Sequence, residues 1–219
     1  MIMNNVLSKV FLWLGIGLLV TFFVGFGFEQ YLLNNLVLAA KFFSRGTYWI
    51  IFAVELVLVI ALSAKIATMK SSTAKTLYIL YCIVNGLTFS SIFLLFELSS
   101  IIYVFLATAV VFIIFSFIGN SLNIDLSKFG LYLFIALLCA LITSIVNIFL
   151  HSTSLELLLG VAFIIIFTLY IGYDIKKVSA MIDAGIDEEN AAVYGAFQLY
   201  LDFINIFIRL LSLFGKRRD

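Results

Sequence analysis

The sequence predicts an all-α integral membrane protein with seven transmembrane helices, which form a single domain over residues 1–219. Hydrophobic residues make up 64% of the chain and charged residues only 11%, and the mean hydropathy is +1.22. A soluble domain of this size needs a polar outer layer that this composition cannot supply. In addition, apolar runs long enough to cross a bilayer recur along the whole chain.

Five charge-free runs and two runs with isolated charges locate the helices. About 20 apolar residues cross the hydrocarbon core as a helix. The second run contains only Glu55 as a charged residue, and the seventh contains only Asp202 and Arg209. The runs are uniformly apolar instead of alternating, which argues against a transmembrane β-barrel. In chain order, the predicted spans are 10–28, 46–64, 76–96, 98–124, 129–155, 157–173 and 190–215.

The distribution of Lys and Arg predicts a cytoplasmic N-terminus, because short cytoplasmic loops carry an excess of positive charge. In that orientation seven basic residues before the last span lie inside and two lie outside: Lys9, Lys65, Lys70, Lys75, Lys128, Lys176 and Lys177 against Lys41 and Arg45. The basic tail at 216–218 then lies outside if the last helix crosses the membrane, and inside if that helix is re-entrant. The sequence leaves both arrangements open.

Several function classes are excluded by what the sequence lacks. The net charge is +1, so no strong field attracts nucleic acid. Cys82 and Cys139 lie in apolar runs and are expected to be small buried residues, not a disulfide. His151 is the one histidine, and no common zinc, nucleotide or nucleophile motif occurs. We expect no enzymatic activity and no tightly bound cofactor.

The charges inside predicted spans are the candidate functional residues, because an ionised group in hydrocarbon is costly unless it faces protein or water. Asp202 lies near the middle of the seventh span. It belongs to a stripe on one helix face, formed by Gly195, Gln198, Asp202, Asn205, Arg209 and Ser212. We therefore expect this helix to be central and wrapped by the other six. Gln198 and Asn205 are equally consistent with simple interhelical hydrogen bonds.

The remaining charged residues allow more than one interpretation. Asp174 ends the sixth span after Tyr173 and is either functional or an interfacial residue. Glu55 is expected to face the polar centre, whereas Lys65 is expected to extend to the lipid headgroups. Acidic residues before the seventh span are expected to cap that helix, where negative charge is favoured. They are Asp183, Asp187, Glu188 and Glu189.

The last span also carries a motif that resembles a known family. Residues 199–207 read Leu-Tyr-Leu-Asp-Phe-Ile-Asn-Ile-Phe and continue through Leu211 to Gly215. This segment closely resembles the closing signature of the Bax inhibitor-1 family, also called the transmembrane Bax inhibitor motif family. Tyr173-Asp174 resembles the second motif of the family. The layout of the whole chain is similar, and the sequence-specific resemblance covers 170–215.

This resemblance implies a pH-sensitive calcium leak across a membrane. Family members use one aspartate from helix six and one from helix seven as a proton-sharing pair, and the motif assigns these roles to Asp174 and Asp202. The pair is expected to gate the path and to bind Ca²⁺ transiently as the permeant ion. Glu55, Gln198 and Asn205 are expected to line the path.

The resemblance further implies a basic residue on helix two that latches the pair in a closed state. The matching position is Ile66, so the neighbouring Lys65 is the candidate latch and Arg209 is a second candidate. Tyr173-Asp174 is followed by Ile-Lys-Lys, which differs from the polar pair common in the family.

Elementary electrostatics agrees with such a pair. Two carboxylates about 4 Å apart repel by roughly 4 kcal/mol at an effective dielectric constant near 20. We therefore expect the pair to hold one proton near neutral pH, and we expect loss of that proton to push the two helices apart. Calcium takes six to eight oxygen ligands, so two carboxylates bind it weakly, which suits permeation.

Three alternatives belong to other functional classes. A membrane protein that regulates a protease or the cell-survival machinery by interaction needs no ion flux, and a proton-coupled transporter needs a substrate cavity. An intramembrane aspartyl protease also uses two aspartates, but its Gly-x-Gly before the second one and its Pro-Ala-Leu motif are missing. The composition favours a bacterial inner-membrane protein. The expected partners are the lipid bilayer, calcium ions, protons and membrane proteins, but not nucleic acid.

Overall fold

The computed structural model describes residues 2–66, 68–121 and 126–218, which are helical apart from short connections. Within these ranges all the helices except α2 are long and apolar enough to cross a membrane. The described residues therefore confirm an all-α protein with seven candidate membrane spans. The helices are α1 (Ile2–Leu33), α2 (Leu36–Phe42), α3 (Arg45–Lys65), α4 (Ser71–Leu95), α5 (Leu98–Ser121), α6 (Leu126–Leu150), α7 (Thr153–Asp183) and α8 (Glu188–Phe214).

The ends of α6 and α7 differ from the predicted ends, because neither charges nor apolar runs mark where a helix stops. Helix α7 has 31 residues, or about 46 Å at 1.5 Å per residue, so it continues well beyond the predicted span 157–173. The apolar run 129–155 contains a helix break, because α6 ends at Leu150 and His151 has a φ of 50°. Residues 122–124 of the predicted fourth span lie outside the described residues.

Backbone contacts divide the chain into two compact units. The first contains Met1–Glu97, Met181–Phe197 and Arg217–Asp219, and the second contains Leu98–Ala180 and Gln198–Lys216. Half of the most apolar window of α8 is buried, the largest share among the seven spans. The expected central position of this helix stays a prediction.

In the first unit, α1 packs against α4 along a contact that we call the glycine seam, formed around Gly25 and Gly86. A Cβ atom on Gly25 would lie 3.0 Å from the carbonyl oxygen of Gly86, and one on Gly86 would lie 3.0 Å from the carbonyl oxygen of Thr21. Nearby, the Tyr78 hydroxyl donates a hydrogen bond to the Trp13 carbonyl at 3.0 Å. Close backbone approach at small residues is a common packing device of membrane helices.

The start of α8 is bound to the starts of α1 and α4. Glu189 accepts Lys9 Nζ at 2.5 Å and Lys75 Nζ at 2.6 Å. The Asp187 carboxylate accepts hydrogen bonds from the backbone N–H groups of Glu189 and Asn190, both at 3.1 Å. The expected capping of the last helix is therefore confirmed for Asp187, while Glu189 is also engaged in ion pairs.

The C-terminal residues lie at the opposite end of α1. Arg218 Nη1 binds Glu29 Oε1 at 3.0 Å, and the Arg218 backbone N–H donates to the Leu95 carbonyl at 2.9 Å. Twenty residues separate Lys9 from Glu29, which corresponds to about 30 Å along the helix. The contacts at Lys9 and Glu29 therefore lie near opposite ends of α1, and a membrane crossing by the last helix stays a prediction. The buried Glu29 carboxylate compensates the charge of Arg218 in the basic tail.

In the second unit, aromatic and aliphatic side chains pack between the helices. Phe105 and Phe112 of α5 contact Phe203 of α8 with ring centroids 5.1 and 5.6 Å apart. A core cluster joins α6 to α7 through Ala140, Leu159, Phe163 and Ile166.

The two cysteines differ in accessibility. Cys82 is buried, but Cys139 on α6 is exposed, contrary to our expectation. Its neighbours Leu138, Leu141 and Ile142 are also exposed. An apolar run in a membrane helix does not separate protein-facing from lipid-facing positions, since lipid is as apolar as the core.

Candidate functional site

Two buried carboxyl groups meet between α7 and α8 in the second unit. Asp174 is 2% exposed and Asp202 is 4% exposed, and the two side chains lie close enough to interact with each other. Asp202 is 14 residues after Glu188 and 12 before Phe214. At 1.5 Å per residue it lies about 21 and 18 Å from the two helix ends, near the middle of the span.

Gln198 completes the immediate surroundings of the pair. Its side chain interacts with Asp174 of α7, and Gln198 lies one turn before Asp202 on the stripe of α8. Asp174 Oδ1, Asp202 Oδ2 and Gln198 Oε1 are buried without a hydrogen-bond partner among the described residues. Such orphaned buried oxygens are rare in proteins and call for a ligand, a proton or water.

The oxygen donors suit a hard cation held weakly. Calcium binds carboxylate and amide oxygens and needs six to eight of them. In the described part of the chain no group of three or more His, Cys, Asp or Glu residues is placed to hold a metal ion. The pair and Gln198 therefore provide the start of a coordination shell, but not a closed cage.

Tyr170 and Lys177 of α7 also lie near the pair. Tyr170, Asp174 and Lys177 share one helix face by their spacing of four and three. The charge of Lys177 acts on Asp174, and its Nζ atom lies 5.7 Å from the centre of the Tyr173 ring. Both aspartates act electrostatically on Tyr170. The three-residue spacing of Lys177 from Asp174 was the signal that could have identified it.

Asn205 has a local role in the structure. It is half-buried, and its Nδ2 donates to the Leu201 carbonyl at 2.8 Å within the same helix. This bond agrees with the structural interpretation of Asn205. Its expected place on an ion path stays a prediction.

Glu55 belongs to a separate polar cluster in the first unit. Its Oε1 accepts hydrogen bonds from Thr88 Oγ1 at 2.8 Å and from Asn85 Nδ2 at 3.4 Å. Lys65, in the last turn of α3, is exposed, whereas the neighbouring Ile66 is 1% exposed. Exposure agrees with the expectation that Lys65 extends to the headgroups, and its role as a latch stays a prediction.

Arg209, the second candidate latch, is stacked on an aromatic ring. Its guanidinium carbon lies 4.3 Å from the centre of the Phe163 ring. Arg209 is seven residues beyond Asp202, or about 10 Å along α8. A latching contact with the pair stays a prediction.

Comparison with known proteins identifies the family of the chain. Residues 3–219 match a family model described as inhibitor of apoptosis-promoting Bax1. The chain is 36% identical over 223 residues to the inner membrane protein YbhL of Escherichia coli strain K12, covering 99% of this chain and 93% of the relative. It is also 34% identical over 224 residues to an uncharacterized protein of Borreliella burgdorferi, covering 100% of this chain and 95% of that protein. The motif in α8, the seven candidate spans and these matches together show that the chain is a membrane protein of the Bax inhibitor-1 family.

Proposed function

We propose that the protein is a pH-sensitive calcium leak channel or transporter of a bacterial inner membrane, gated by a proton shared between Asp174 and Asp202. The burial of these two carboxyl groups beside each other carries the proposal. Two buried carboxylates that lie close together repel each other when both are ionised, so this arrangement favours a proton on one of them. The inner-membrane relative in Escherichia coli supports the choice of membrane.

Loss of the shared proton supplies the force that opens the path. Two carboxylates within hydrogen-bond distance, about 3.5 Å, repel by about 5 kcal/mol at an effective dielectric constant of 20. This repulsion separates the side chains of Asp174 and Asp202 and turns them into two anionic oxygen donors. The pair is closed when it holds one proton and open to cations when it holds none.

Weak cation binding is what a leak requires, because an ion that is held tightly does not leave. The two carboxylates and Gln198 Oε1 supply fewer oxygens than calcium prefers, so passing ions keep part of their water shell. Lys177 opposes calcium at the same place, since its charge acts on Asp174. Movement of Lys177 away from Asp174 would increase cation access.

Calcium flux in proteoliposomes tests the proposal. The full chain is reconstituted with a trapped fluorescent calcium indicator, and the rate is measured from about pH 6 to pH 8. Asp202→Asn and Asp174→Asn keep the side-chain size but remove the second ionisable carboxyl, so the pH response should disappear. Asp183→Asn, at the exposed end of α7, is the matched control and should behave as wild type. Wild-type flux and pH response in Asp202→Asn would disprove the gating role.

A regulatory protein that acts by interaction is the second candidate. The description of the matching family model names an inhibitor, which favours this function over transport of another solute. Absence of calcium flux from pure wild-type liposomes, together with a defined membrane-protein partner in pull-down experiments, would replace the leak proposal with this one.

A further inference from the structure

A polar cavity lies where α6 ends, α7 begins and α8 approaches its C-terminal end, all within the second unit. Its volume is about 340 Å³. The polar side chains around it are Ser144, Asn147, His151, Glu156 and Arg209. Neither aspartate of the carboxyl pair lines this cavity, so it is a separate site from the proposed gate.

Arg209 brings a positive charge to this cavity that the described residues do not neutralise. Arginine stays protonated in proteins and has five N–H donors in the plane of its guanidinium group. Phe163 covers one face of that plane at 4.3 Å, which leaves the edge with its donors available. Among the described residues no carboxylate forms an ion pair with Arg209.

Glu156 adds a negative charge to the same cavity. It lies in the first turn of α7 and is exposed. Its charge acts on Arg209, but the two side chains do not form an ion pair, so the cavity carries separated charges of both signs. A simple anion would be repelled by Glu156, and a simple cation would be repelled by Arg209. A ligand that carries both charges satisfies both side chains.

The cavity lies close to the ends of two candidate membrane spans, where the headgroup region of a bilayer is expected. Ser144 is six residues before the end of α6, and Leu159 is six residues after the start of α7. Six residues correspond to about 9 Å, which reaches the boundary between headgroups and acyl chains. Beside the cavity, Ile148 is 66% exposed, Phe149 is 80% exposed and Leu158 is 66% exposed, as expected for side chains that contact acyl chains.

We propose that this cavity binds a zwitterionic phosphoethanolamine head, with the phosphate on Arg209 and the primary ammonium group on Glu156. A phosphate accepts two parallel N–H donors from the edge of a guanidinium group. A primary ammonium group donates hydrogen bonds to a carboxylate, which a quaternary ammonium group does not. The shared chemistry is that of a phosphatidylethanolamine headgroup and of the free phosphoethanolamine molecule.

Native mass spectrometry of the detergent-purified full chain tests this site. The probes are short-chain phosphatidylethanolamine, short-chain phosphatidylglycerol and free phosphoethanolamine. Wild type should bind the ethanolamine lipid about tenfold more tightly than the glycerol lipid, because only the former satisfies Glu156. Arg209→Gln should weaken binding of the ethanolamine lipid about tenfold, since the bidentate phosphate contact is lost. Glu156→Gln should remove or reverse the preference between the two lipids.

Matched variants and the free headgroup make the outcomes distinct. Arg45→Gln and Asp183→Asn change exposed charges elsewhere and should bind as wild type. Competition by free phosphoethanolamine at concentrations close to those of the lipid supports a soluble source of the ligand, and binding of the lipid alone supports a membrane source. Equal wild-type affinity for both lipids, or no binding of any probe, overturns the proposal. If Arg209→Gln does not fold, the lipid preference of Glu156→Gln tests the proposal alone. Glu156 is exposed, so its replacement should leave the fold intact.

Discussion

Replacing Arg218 by Gln should destabilise the protein clearly more than the same replacement at Arg217. The Glu29 side chain is 2% exposed and its Oε1 lies 3.0 Å from Arg218 Nη1. The Gln30 amide donates to its other oxygen at 2.6 Å, so removal of the guanidinium leaves one neutral donor on a buried charge. Breaking a buried ion pair costs about 3–5 kcal/mol, whereas exposed pairs contribute about 0–1 kcal/mol. Because the Arg218 side chain is 50% exposed, we expect Arg218→Gln to lower the free energy of unfolding by about 2 kcal/mol, between these two ranges.

Thermal unfolding in detergent measures this difference. For a chain of this size 1 kcal/mol shifts Tm by about 2–4 °C, so Arg218→Gln should lower Tm by about 4–8 °C. Arg217 is exposed at the neighbouring position, and Arg217→Gln should change stability by less than about 0.5 kcal/mol. The double variant with Glu29→Gln should recover most of the loss, because no charge then remains buried without its partner.

A double-mutant cycle separates the ion pair from other effects of the substitutions. A coupling energy near zero between positions 29 and 218 would refute the reasoning, and so would equal Tm values for Arg218→Gln and Arg217→Gln. Either result would also remove the main support for the position of the C-terminal residues at the far end of α1.

Three further predictions concern packing, the ion pairs of α8 and thiol accessibility. Gly86→Ala should lower the free energy of unfolding by about 1–3 kcal/mol, because the added methyl group overpacks the contact with α1. Gly27→Ala is the control: no heavy atom lies within 4 Å of the added Cβ, so this variant should be neutral or stabilise the protein by up to about 1 kcal/mol. Glu189→Gln should lower the free energy of unfolding by less than about 1 kcal/mol, since its lysine partners are partly exposed. Raising the salt concentration to about 0.5 M should reduce the difference in stability between this variant and wild type. A loss of stability that does not depend on salt would contradict the prediction. In detergent, an apolar, membrane-permeant maleimide should label Cys139 before the buried Cys82, so mass spectrometry should find one label per folded chain before a second appears.

The helical fold was predictable from the sequence, but the helix ends were not. Apolar runs report where lipid replaces water, and they located the seven candidate spans. They do not report where a helix stops, because a helix continues past the hydrocarbon core with polar residues at no cost to its backbone bonds. For this reason α7 extends through Lys176 and Lys177 to Asp183. The reverse error occurred at His151, where an apolar run hid a helix break.

The polar stripe of α8 was predictable because helical spacing alone places Gln198 and Asp202 on one face. The partner of Asp202 depends on how α7 packs, and the family motif indicated Asp174 where position alone did not. Glu29 was missed because the first predicted span ends at residue 28, immediately before it. Its partner Arg218 is 189 residues away in the sequence, so no local pattern signals that this carboxylate is buried.

The glycine seam between α1 and α4 has a consequence for measuring motion. The contacts that define it around Gly25 and Gly86 involve backbone atoms and apolar side chains, with no carboxylate, amine or imidazole group. Dispersion and steric fit hold such a contact, and neither depends on proton concentration. Spectroscopic labels on α1 and α4 beside the seam should therefore report one constant distance between about pH 6 and pH 8. That distance can serve as an internal reference for measuring pH-dependent displacement of any other helix.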